Sequence, residues 1–155
     1  MSVIDQITTY LPIVSFTIVL FYYGINIRDA NRSRQASLYM QLYSSFRSQE
    51  VLGELNKVLY LHQWKDFEDF QSRYSPEANL DMSIGIQSIL LFFEILGGLL
   101  KQGFLDIKVI DSQVGMAFIP FWEKIGPIIM AERELRKQPT LWNDNEYLYE
   151  QLTGA

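Results

Sequence analysis

The sequence contains no cysteine, which excludes disulfides, thiolate zinc sites and a cysteine nucleophile. It contains one histidine, His62. A two-histidine, one-carboxylate metal site, a di-iron bundle site with paired Glu-x-x-His motifs and a histidine-based zinc site all fail on counting. A Ser–His–acid triad would have to use His62, and the chain has no G-x-S-x-G elbow. His62 therefore reads as a solvent-facing or interface histidine. Positive charge is sparse too: the net charge is −5 and no long basic stripe occurs. Nucleic acid is excluded as a partner on that ground, since phosphate neutralisation needs clustered Lys and Arg. Gly98 and Gly103 have phosphate-loop spacing, but Phe104 and Leu105 stand where Lys and Ser/Thr are required. No catalytic, cofactor-binding or metal-binding residue emerges, and the chain reads as a non-enzyme.

A further absence points to location. No charged side chain occurs between Asp5 and Arg28, and every Lys and Arg follows that stretch. A helix over Ile7–Ile27 spans about 31 Å, close to the hydrocarbon thickness of a bilayer. A secretory signal would need basic residues before its apolar core and small residues after it. Here Asp5 precedes the core and Phe21-Tyr22-Tyr23 follows it, so the segment reads as an uncleaved transmembrane anchor. Tyr10, Tyr22 and Tyr23 suit the two interfacial aromatic belts. Arg28, Arg32 and Arg34 follow immediately, which places the N-terminus outside and the rest of the chain in the cytoplasm. These arginines, two of them on one helical face, also suit anionic lipid headgroups.

No glycine or proline interrupts the chain between Ile25 and Arg47, so the membrane helix continues as a stalk. Its apolar positions become Leu38, Tyr39, Leu42, Tyr43 and Phe46, a stripe that needs a packing partner. Ser48 caps a following helix whose buried face is Val51, Leu52, Leu55, Val58 and Leu59. Residues 65–81 read as a loop with one short helix. Ile84–Leu100 carries a single charge, Glu94, and reads as the central helix of a bundle or as a second membrane segment. Gly97 and Gly98 imply close approach of another helix, and Lys101 with Gly103 marks the helix end. Asp106 caps the next element, LDIKVID, which fits a short strand or a helix. An apolar series from Val114 to Ile129 follows, with Pro120 and Pro127 expected to kink or divide it. Asn143 with Glu146 resembles a capping box for a last helix. The fold class is all-α: one N-terminal transmembrane helix continuing into a cytosolic bundle of four to five helices. Residues 1–30 form the anchor and 31–155 the cytosolic domain.

Glu94 is the one residue with possible chemistry. A carboxylate in an apolar helix is either exposed at an edge, buried with a partner, or a proton-handling acid/base group. Asp66, Glu68 and Asp69 read as a solvated turn, and Glu50 with Glu54 as a solvated helix face.

The stretch LLFFEILGGLLKQGFLDIKVID, followed by FWEKIGP, resembles a family of small bacterial and archaeal membrane proteins known as a domain of unknown function. Phe92, Phe93, Glu94, Gly103, Leu105, Asp106 and Trp122 carry the resemblance. It implies one N-terminal span, a basic juxtamembrane helix and a helical domain, and brings no catalytic residues.

The functional expectation is an accessory or scaffold subunit of a larger membrane complex, or a homo-oligomer, acting through helix–helix contacts. The alternative is a membrane-tethered regulator or sensor of signalling or lipid state.

Overall fold

The computed structural model describes residues 3–110 and 112–154, with side chains from Ser15 onward except those of residues 50, 112 and 113. Among them the chain is all-α. The helices are α1 (Val3–Phe46), α2 (Gln49–Asn56), α3 (Phe67–Tyr74), α4 (Leu80–Lys101), α5 (Ser112–Arg136) and α6 (Asn143–Thr153). A π-helical turn, Lys57–Leu61, prolongs α2, and a 3-10 turn, Ile107–Val109, precedes α5. No strand occurs among the described residues; within LDIKVID, Ile107–Val109 forms the 3-10 turn, with Asp106 Oδ1 accepting from the Lys108 N–H at 3.0 Å.

The chain forms two compact units, Met1–Ser37 and Leu38–Ala155. In the first, the large apolar side chains from Phe16 to Ile27 stand exposed. The side chains of Ile7–Ile27 before Ser15, Tyr10 included, lie outside the described residues. By length and composition, two helices among the described residues could cross a membrane: Leu80–Lys101 and Val114–Arg136. About half of each is buried within the protein, as in a bundle interior.

The second unit is built around α4. Ile86, Ile89, Leu90, Phe93 and Leu96 are buried along it. Phe93 meets Phe118 and Phe121 of α5 with ring centroids 4.5 and 5.8 Å apart. Leu55 and Val58 close the core from α2 and its π-turn, and Leu148 from α6. The stripe Leu38, Tyr39, Leu42 and Tyr43 packs half-buried on this core and Phe46 enters it fully. Ser48 caps α2 as expected, its Oγ accepting from the Val51 N–H at 3.3 Å. The loop of residues 65–81 holds one short helix, α3. Asp66 caps it by accepting from the Asp69 N–H, and Asp69 pairs with Arg73 at 2.7 Å. The acidic turn is thus engaged in its own helix.

Of the two outcomes expected at its prolines, a kink or a division, α5 does not show the division: it runs unbroken through Pro120 and Pro127. Pro120 and Pro127 are both exposed, and so are Met116 and Glu123, whose carbonyls lose their helical donors. These four residues lie on the exposed side of α5, where solvent is available to carbonyls that lack a helical donor. The second helix of membrane-spanning length arises from this continuity. The expected capping box of α6 is also absent. Trp142 occupies the N-cap in the left-handed region, φ 56°, and makes no side-chain cap. Glu146 turns instead to Arg133, 2.8 Å away, while the Arg133 Nε–H donates to the Leu141 carbonyl at 2.8 Å.

Candidate functional site

With no side-chain cap of its own, α6 takes one from α4. The first N–H groups of a helix have no intrahelical acceptor and carry the positive end of its dipole. Glu94 supplies the acceptor. One carboxylate oxygen accepts from the Asp144 N–H at 3.3 Å. The other accepts from the Asn145 N–H at 2.9 Å and from the Asn145 side-chain amide at 2.7 Å. Asn145 is fully buried, and its amide also donates to the Leu90 carbonyl at 3.1 Å.

The rest of this face of α4 is shaped for the same helix. Leu90, Glu94, Gly97, Gly98 and Lys101 recur at helical spacing and form one ledge. A Cβ at Gly97 would overlap the Asp144 backbone carbonyl, and one at Gly98 would crowd the Asp144 carboxylate. Lys101 pairs with that carboxylate at 2.9 Å. This pairing raises the lysine's pKa, chiefly through the hydrogen bond to Asp144. Among the described residues Glu94 accepts three hydrogen bonds, all of them from α6. The glycines sit where close approach was expected, and the approaching helix is α6. Gly103 adopts φ 75° just beyond α4, with the Phe104 N–H donating to the Leu99 carbonyl and the Gly103 N–H to that of Leu100. That is the six-residue Schellman closure.

A second cross-helix cap was not foreseen. Lys124 Nζ donates to three backbone carbonyls at the end of the π-turn: Val58 at 2.8 Å, Leu59 at 3.0 Å and His62 at 2.7 Å. The ammonium also lies 5.0 Å from the Trp64 ring centroid. Three protons meet three acceptors at a helix C-terminus, where positive charge is favoured. Burial pushes the Lys124 pKa down. The carbonyls and the ring hold the charged form against it. Only a lysine following WE in FWEKIGP is visible in sequence, and nothing local identifies its distant acceptors.

Of the two readings of His62, solvent-facing or interface, the solvent-facing one is corrected. His62 is 5% exposed and stacks on Tyr74 with centroids 4.8 Å apart. Its Nδ1 is buried without a partner among the described residues. Burial lowers its pKa, Lys124 and Lys57 lower it further, and Glu54 opposes them. The period of the apolar run ended at Leu59, and the π-turn then rotates His62 inward, which helical spacing alone does not reveal.

Arg28, Arg32 and Arg34 are exposed, as are Tyr22 and Tyr23 at 65% and 62%. Among the described residues no group of three or more His, Asp or Glu side chains is placed to hold a metal ion. The structure brings Glu94, Gly97, Gly98 and Lys101 together in the second unit; Arg28, Arg32 and Arg34 belong to the first.

Residues 11–152 match the family described as Domain of unknown function (DUF4760), and the chain belongs to it. No curated protein and no solved structure matches the chain.

Proposed function

We propose that this member of the family is a non-enzymatic accessory or scaffold subunit, anchored in the cell membrane by its N-terminal helix and acting by contact with other membrane proteins or with copies of itself. The observation that carries the reading is an apolar stripe left uncovered on α4. Ile84, Leu91 and Ile95 are exposed by 52%, 53% and 48%, with Ser88 between them on the same face. An exposed apolar stripe in a well-packed domain marks a contact surface. Glu94, Lys101 and Lys124, which could have served chemistry, are engaged in holding helices together.

In this reading the apolar residues 16–27 face lipid or partner helices, Tyr22 and Tyr23 sit at headgroup depth, and Arg28, Arg32 and Arg34 meet anionic headgroups. The N-terminus lies outside and the helical domain in the cytoplasm. The burial of about half of each of α4 and α5 supports reading them as bundle helices.

The test is solubilisation of the full chain in mild detergent followed by native mass measurement. A stoichiometric complex with another membrane protein, or a defined oligomer, is expected; a strict monomer with nothing bound overturns the reading. The lack of native cysteine makes topology directly measurable. Ser2→Cys should react with an impermeant maleimide on intact cells, and Thr153→Cys only after permeabilisation.

A tethered regulator or sensor is the second reading. What favours it is that α1 carries both the arginines and the stripe that packs on the helical core. Replacing Arg28, Arg32 and Arg34 with Gln, with insertion preserved, should then change a partner's activity. An unchanged response removes this reading.

A further inference from the structure

α3, α4, α5 and the turn into α6 enclose a cavity of about 300 Å³. That volume falls at the lower end of small-molecule sites, which run about 300–1,000 Å³. Phe70, Ile86, Leu90, Ile125 and Ile129 supply apolar walls, and Trp142 also lines the cavity. Such walls favour an apolar body, because burying it removes hydrocarbon surface from water.

One polar group in the wall is unusual. Ser83 is 4% exposed, and its Oγ accepts from the Gln87 amide at 3.1 Å. A serine inside a helix commonly donates its own proton back to the carbonyl one turn earlier. Ser45 and Ser88 do so, at 3.1 and 2.8 Å. Ser83 donates to no acceptor among the described residues. A buried hydroxyl with an unused proton lacks compensation for its burial. A ligand oxygen in the cavity would supply the missing acceptor.

Charge at the lining narrows the ligand further. The charged residues there are Glu77, Glu132 and Arg136. Arg136 is paired with Glu132 at 2.7 Å, so no free cation awaits an anionic head, and Glu77 repels one. We propose that this cavity binds a neutral amphiphile, an apolar chain carrying a single hydroxyl or ester oxygen, with Ser83 donating to that oxygen. Trp142 forms part of the wall and holds a left-handed backbone one residue before α6 begins. Occupancy of the cavity therefore touches the turn that seats α6 on Glu94.

The experiment places the full chain in lipid nanodiscs and titrates it with 10-bromodecan-1-ol or with 10-bromodecanoate. Bromine quenches tryptophan at contact, and the part of the quenching lost in Trp142→Phe reports the cavity. For the alcohol that part should saturate. It should weaken about tenfold in Ser83→Ala, the loss expected for one hydrogen bond. The carboxylate should bind at least tenfold more weakly than the alcohol. Leu90→Phe, which narrows the cavity, should abolish saturation while circular dichroism confirms the helical fold. Non-saturating quenching reports partition into lipid alone and overturns the proposal. So does equal affinity of Ser83→Ala and wild type, or carboxylate binding as tight as the alcohol's.

Discussion

Asn145 donates twice to one carboxylate oxygen of Glu94, from its backbone N–H at 2.9 Å and from its side-chain amide at 2.7 Å. The same carboxylate receives the Asp144 N–H through its other oxygen. An anion from α4 thus terminates the positive end of α6. A cation from α5, Lys124, likewise terminates the negative end of the turn that prolongs α2. Each of the two longest helices of the second unit lends one charged side chain to the end of a shorter helix. Those shorter helices have few residues and little intrinsic stability, so their order depends on these contacts.

Glu94→Ala should destabilise the chain by about 3 kcal/mol, because it removes charged acceptors and leaves buried N–H groups unpaired. Glu94→Gln keeps an acceptor oxygen but loses the charge at the helix terminus, and should cost about half as much. Urea unfolding of the full chain in mild detergent measures both. Near-zero losses in both variants would show that water replaces the carboxylate at no cost.

Gly97→Ala should cost about 3 kcal/mol, the upper range for overpacking, because its Cβ overlaps a backbone carbonyl and not a flexible side-chain tip. The damage should be local. Amide exchange in residues 143–153 should accelerate strongly, while the Phe93–Phe118 region keeps its protection. Uniform acceleration throughout the domain would contradict a contact confined to α6.

Much of this arrangement was legible in the sequence. The 3.6-residue spacing located the stripe from Leu38 to Phe46 and the buried face of α2. Ser48, Asp106 and Gly103 marked ends by local chemistry, which depends only on neighbouring residues, whereas Asp66, read as part of a solvated turn, proved to be the cap of α3. The paired glycines announced a close helix without naming it. Long-range partners were not legible. Glu146 looked like a cap because Asn143 stands three residues before it, yet Arg133 from α5 takes it away. The prolines looked like kinks or breaks because periodicity does not say which side of α5 faces solvent. Lys124 gave no signal, since its acceptors are backbone carbonyls that any sequence possesses.

Lys124→Met should destabilise the chain by about 3 kcal/mol, since it leaves three part-buried carbonyls without their common charged donor. Lys124→Arg should not restore the loss. A planar fork does not converge its protons on three acceptors as a compact ammonium does. Full stability in the arginine variant would show that charge alone, and not the convergence of donors, accounts for the contact.

The pH dependence of stability should carry a signature of His62. Its folded pKa is lowered by burial, with Lys124 and Lys57 adding and Glu54 opposing. The unfolded chain therefore binds this proton more tightly than the folded one. Stability is complete above the unfolded value of about 6.5, and falls as pH drops from there through the lowered folded value. His62→Phe keeps a ring against Tyr74 and removes the titration. Between pH 7 and pH 5 it should lose less stability than the wild type. Parallel curves for the two proteins would remove His62 as the source.

α4 and α5 end in the same hydrogen-bonded closure, but with different residues at its left-handed position. Gly103 holds it after α4 at φ 75°. After α5 it is Lys137 at φ 54°, with the Gln138 N–H donating to the Arg133 carbonyl and the Lys137 N–H to that of Glu134. A side chain there costs about 1 kcal/mol relative to glycine, because Cβ crowds the neighbouring backbone. Lys137→Gly should therefore stabilise the chain by up to about 1 kcal/mol, and Gly103→Ala should destabilise it by about the same amount. Lys137 is exposed, so no packing is lost with its side chain. Thermal unfolding of both variants in one detergent gives the comparison. A destabilised Lys137→Gly would mean that the lysine side chain makes a favourable contact that outweighs its backbone strain.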